Sequence, residues 1–119
     1  MALLQLTTEI DPQDSRYAII VFNGELDSSR LHDAEKALSS FIETFKGSHL
    51  IFDWHELAYI NSDSIGMVMV THTRLTKRGI HLMVIGARPN IEDISEAIGL
   101  TKIIPFFADK AAALDSMTA

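Results

Sequence analysis

The sequence predicts an α/β fold built on a mixed sheet, and three observations carry that prediction. Strand-like runs alternate with amphipathic segments in the order β β α β α β α (β) α, the pattern of a layered fold with parallel pairing in part of its sheet. The first two strand-like runs have no helix between them, so they can pair antiparallel. The chain has 119 residues, which predicts one domain, residues 1–119, with a core that needs no covalent staples.

Each element has its own signal. Leu3 to Thr8 alternates Leu4 and Leu6 against Gln5 and Thr7, a half-buried strand. The polar cluster from Asp11 to Ser15 reads as a turn. Tyr17 to Phe22 is rich in β-branched and aromatic residues, and Asn23-Gly24 ends or bends it. Asp27-Ser28-Ser29 supplies helix caps. Leu31, Ala34, Leu38, Phe41 and Phe45 then form one helix face, with Gly47 as its expected C-cap. A strand spans His49 to Ile60, opened by the buried run Leu50-Ile51-Phe52. After the polar tetrad Asn61-Ser62-Asp63-Ser64, Ile65, Val68, Met69 and Leu75 recur at helical spacing. Arg74, Lys77 and Arg78 sit where cations suit the end of the helix dipole, and Gly79 stops the helix. Ile80 to Ile85 is another buried strand. Arg88-Pro89-Asn90 opens a helix carrying Ile91, Ile94 and Ile98, and Gly99-Leu100 reads as its Schellman ending. Ile103 to Phe107 reads as a short strand, and Asp109 caps a terminal helix, Lys110 to Met117.

Composition narrows the function classes. The chain has no cysteine, which removes disulfides and thiolate metal sites. The formal charge of −6 argues against non-specific nucleic-acid binding and against an anionic lipid surface. The start of the chain, Met1 to Gln5, lacks the basic flank and apolar run of a secretory signal, and no stretch has the apolar length of a membrane span. These features fit a cytoplasmic protein. His49, His55, His72 and His81 are scattered without metal-ligand spacing. His72 falls near an apolar stripe and reads as a core histidine, whereas His55-Glu56 reads as a solvated edge. Trp54 reads as packing, or as an anchor if a partner lies near.

The tetrad is the candidate site. It lies where a strand feeds a helix, the place α/β proteins use for function. The helix N-terminus favours an anion, so a phosphate on a serine meets a favourable field, opposed by the charge of Asp63. Its simplest role is structural, with Ser62 or Asp63 as an N-cap. A nucleophile elbow is a second reading: Ser64-Ile65-Gly66 matches the last half of G-x-S-x-G, but residue 62 is serine where glycine is needed. A receiver domain with Asp53 as phosphoacceptor is a third. It lacks the acidic pair after the first strand and the lysine after the last.

Four stretches resemble the STAS family, the sulphate transporter and anti-sigma factor antagonist domain. They are "FNGELD" (Phe22 to Asp27), "LIFDWHELAYINSDSIGMV", "RLTKRGIHLMVIG" and "IEDISEAIGLTKIIPFFADKAAAL". The resemblance implies a mixed sheet of four to five strands with about four helices packed mainly on one side. It sets Ser62 at the position where such antagonists accept phosphate from a partner kinase, with Ser64 as second choice. Gly66 matches the second glycine of the family's Asp-Ser-Ser-Gly-Leu-Gly, and Ile65 its leucine. Asn61, Asp63 and Ser64 depart from that motif. The resemblance implies a non-catalytic, cofactor-free bacterial regulator. Its partners would be a serine kinase/anti-sigma factor and a phosphatase acting on phospho-Ser62, with neither nucleic acid nor membrane insertion. A partner surface is expected from Asp27, Ser28, Met67, Val70 and Arg74, with Met67 equally readable as core. The alternatives are a stand-alone STAS subunit docking on a transporter's ATPase, and a small serine hydrolase using Ser64.

Overall fold

The computed structural model describes residues 4–117, so Leu3, the first residue of the expected opening strand, lies outside it. The elements are β1 (Leu4–Ile10), β2 (Tyr17–Leu26), α1 (Leu31–Thr44), β3 (His49–Ile60), α2 (Ser62–Lys77), β4 (His81–Ile85), α3 (Pro89–Ile98), β5 (Phe106–Phe107) and α4 (Lys110–Met117). The strands form one sheet in the order β1-β2-β3-β4-β5. β1 and β2 are antiparallel, as their short connection allows, and the other pairs are parallel.

Period-two alternation sorts the strand residues between two apolar layers. Ala18, Ile20, Phe22, Leu50, Phe52 and Trp54 point into the larger one, which α1, α2 and α3 cover with Ala34, Leu38, Ile42, Ile65, Val68 and Ile91. Tyr17, Ile19, Ile51, Met83 and Ile85 point the other way, against Ala113 of α4. Three helices on one face and one on the other match the expected one-sided packing. Trp54 is fully buried, edge-on to Phe22 and Phe106, so its role is packing.

Several boundaries differ from the sequence reading. Asn23-Gly24 bends β2 without ending it. The strand runs on to Leu26, with shifts in its register against β3 and a φ of 121° at Gly24. Helix α1 stops at Thr44 with extended backbone at Phe45, so Gly47 is not its cap. Gly47 is required for close approach: a Cβ there would lie 2.4 Å from the Phe45 ring and 2.6 Å from the Arg16 carbonyl. Gly99 does end α3, with φ 97° and its N–H on the Ser95 and Glu96 carbonyls, and Leu100 folds into the core. The expected strand from Ile103 shrinks to two residues. β5 begins after Pro105, which has no N–H to give to a sheet ladder. His72 is half-buried rather than a core residue.

Candidate functional site

The tetrad lies at the junction of β3 and α2. Asn61 is the residue that caps α2: its backbone is extended (φ −126°, ψ 179°) and its Oδ1 accepts the Ser64 N–H at 2.9 Å. The cap is therefore neither Ser62 nor Asp63, and Ser62 becomes the first residue of the helix.

The two serines have opposite environments. Ser64 is fully buried, and its Oγ donates to the carbonyl of Leu26 at the end of β2. Asn61 Oδ1 lies 2.6 Å from the same hydroxyl, whose single proton the two acceptors share. That hydroxyl faces inward, which removes the surface on which a Ser64 nucleophile or a Ser64 phosphoacceptor depends. Ser62 is exposed, and its hydroxyl has no hydrogen-bond partner among the described residues.

A second loop closes on the tetrad. Asn61 Nδ2 donates to Ser28 Oγ at 3.1 Å, and Ser28 Oγ donates to Asp63 Oδ2 at 3.0 Å. Ser28 thus ties the β2–α1 connection to the first turn of α2. Asp27 caps the short 3-10 turn Ser28–Arg30, taking the Ser29 N–H at 3.0 Å and the Ser29 hydroxyl at 2.6 Å. The Ser29 hydroxyl, more than any other contact, lowers the pKa of Asp27 below the ordinary carboxylate value. Asp27, Ser28, Asn61, Ser62 and Asp63 accordingly form one surface at the C-terminal ends of β2 and β3.

The expected partner residues on α2 divide. Val70 is 56 % exposed and lies two turns along the helix from Ser62. Arg74 is also exposed and donates to Ser39 Oγ of α1 at 2.8 Å. Met67 is 7 % exposed within the larger core, so it is a packing residue and not part of the surface. Its helical position turns it under Thr71, whose hydroxyl donates back to the Met67 carbonyl. Gly66, one turn after Ser62, is exposed, and a Cβ added there meets nothing within 4 Å. The fold leaves a bare backbone patch between Ser62 and Val70.

Sequence reasoning missed one contributor and one exposed aromatic neighbour in the chain. The Leu26 carbonyl, which holds Ser64, carries no residue-type signal. Tyr59, two residues before the cap, is 44 % exposed, and the strand pattern around it is the only hint. Earlier on the same strand His55 forms the solvated edge expected, with Nδ1 2.7 Å from Asp53 Oδ1 and Nε2 3.2 Å from Glu56 Oε1. Among the described residues no group of three metal-ligating side chains gathers, and no helix is long and apolar enough to cross a membrane.

A family model described as the STAS domain matches residues 6–113. The anti-sigma F factor antagonist of Paenibacillus polymyxa is 20 % identical over 113 residues, covering 94 % of this chain and 97 % of that protein. Among solved structures, an anti-sigma factor antagonist from Mycobacterium paratuberculosis superposes with a TM-score of 0.84 at 18 % identity, covering 98 % of this chain and 96 % of that one. The Bacillus cell fate determinant SpoIIAA in its phosphorylated form gives 0.67 at 18 % identity, covering 97 % and 99 %.

Proposed function

This chain belongs to the STAS domain family, and on that premise we propose that it is an anti-sigma factor antagonist that switches partners by phosphorylation of Ser62. The observation that supports the reading is the contrast between the two serines. Of the two hydroxyls in the tetrad, one is buried and bonded, and the other is exposed and unengaged. A kinase has access to Ser62 without unfolding the loop.

The unmodified surface of Asp27, Ser28, Asn61, Ser62 and the bare Gly66 patch docks on a serine kinase/anti-sigma factor. A phosphate on Ser62 adds about −1.5 to −2 charges at pH 7. It breaks no hydrogen bond within the protein, and the first turn of α2 receives it favourably. The cost falls on the complex, where the phosphate must be desolvated beside Asp63 against a surface shaped for a neutral hydroxyl. The antagonist dissociates and a phosphatase resets it. The protein itself is a ligand and substrate, with no catalysis of its own, and acts in the cytoplasm.

The test is phosphosite mapping of protein from its native cell, joined to binding of the co-purifying kinase. Phosphate is expected on Ser62, with Ser62→Asp and Ser62→Glu weakening the complex and Ser62→Ala binding constitutively. If the variants bind like the parent protein, or a transporter ATPase is the partner recovered, the switch is refuted.

A further inference from the structure

A cavity of about 580 Å³ lies at the opposite end of the sheet from Ser62. It exists because the outer edge of β4 is only half paired. β5 meets β4 at Val84 and Ile85 alone. Val84 N–H donates to the Pro105 carbonyl and Gly86 N–H to the Phe107 carbonyl, both at 3.1 Å. Backbone groups two residues apart on a strand face the same edge, so the N–H and C=O of Leu82 face it too. Carrying the register two residues back makes residue 105 the donor for the Leu82 carbonyl. Residue 105 is proline and has no N–H. Among the described residues no hydrogen bond closes either Leu82 group on that edge, although Leu82 is 2 % exposed.

Imidazole and apolar groups surround this open peptide. His49 and His81 begin β3 and β4 and pair in register, their rings stacked at 4.9 Å. His72 of α2 also lines the cavity, and none of the described lining residues is Asp or Glu, in a chain of net charge −6. Met83, Ile103 and Phe107 supply an apolar wall. A volume of this size suits a small molecule rather than a folded partner.

We propose that the cleft binds a small N-acyl amino acid in extended form. Its amide N–H donates to the Leu82 carbonyl, and its carboxylate accepts the Leu82 N–H. Antiparallel pairing of this kind directs the carboxylate toward His81 and the acyl chain toward Pro105, where β5 closes the edge of β4 and turns the chain onto the apolar wall. The imidazoles supply donors to the carboxylate, and the apolar wall covers the chain. This site is independent of the Ser62 switch.

The experiment is an amide-resolved NMR titration of the whole chain with N-octanoylglycine, its methyl ester and the peptide Ala-Ala-Ala-Ala-Gly. N-octanoylglycine is expected to shift the Leu82 and His81 signals and to leave Ser62 unmoved. The methyl ester is expected to bind at least tenfold more weakly, and His81→Gln to lose at least fivefold. Ile103→Trp fills the cleft from a position that is 46 % exposed, and is expected to keep the folded spectrum and lose binding. No shift at Leu82 up to millimolar ligand overturns the site, as does an Ile103→Trp variant that binds like the parent. An ester that binds as well as the acid overturns the role of the imidazoles. Tighter binding of the peptide than of N-octanoylglycine overturns the small-molecule assignment.

Discussion

Two serines two residues apart respond differently to the same substitution. Ser62→Ala removes an exposed hydroxyl with no partner, so stability should change by no more than about 0.5 kcal/mol in urea denaturation. Ser64→Ala strips a buried carbonyl of its donor and should cost about 1–3 kcal/mol in the same measurement. Gly66→Ala should raise stability by about 0.5–1 kcal/mol, since glycine weakens a helix interior and nothing occupies the space a methyl would take. A loss of partner affinity in that same variant would place the partner's backbone against the patch. The histidines give a pH signature. Asp53, bonded to His55, raises its pKa above the ordinary 6.5, whereas burial, then His81 and Arg16, lower that of His49. The raised group stabilises the fold below about 6.5 and loses that contribution as pH rises through its folded value. His49 works in reverse, since below about 6.5 the unfolded chain takes up its proton more readily. NMR titration should find His55 above 6.5 and His49 below it, and Asp53→Asn should bring His55 down.

At the level of elements, the order and type of strands and helices were legible because apolar periodicity and caps are local signals. The helix spacing from Ile65 and the Schellman ending at Gly99 both survive in the fold. What was not legible depended on distant contacts. Gly47 follows a helix, and only the approach of Arg16 from the preceding hairpin gives it another purpose. Asn61, not Ser62 or Asp63, caps α2: the helix already begins at Ser62, and the Asp63 carboxylate takes the Ser28 hydroxyl instead. Met67 reads either way on a helical wheel, and the layer of β-strand residues beneath it decides for the core. The length of β5 was carried by a single residue, Pro105, whose missing N–H lies in the sequence but whose partner does not. Pro105→Ala should therefore lengthen the β4–β5 ladder, giving residue 105 a slowly exchanging amide in hydrogen exchange.

For the molecule as a whole, the sheet has two unequal sides. The side covered by α1, α2 and α3 holds Trp54 and most of the large buried side chains, and the side covered by α4 is a smaller cluster around Ala113. Ala113→Asp should detach α4, seen as fast exchange of its amides, while the amides of β2 and β3 stay protected. The site was legible at this scale only through resemblance, since nothing local in "NSDS" separates a turn from a switch. Sheets aggregate through unpaired edges, and this one has two of very different hazard. On the far side the edge strand β5 is only two residues long, and Pro105 leaves open the backbone of one buried residue of β4, together too short to template another chain. The long free edge is β1, seven residues without a proline. Glu9 is its one charged residue, the strand's one electrostatic guard against pairing with another sheet.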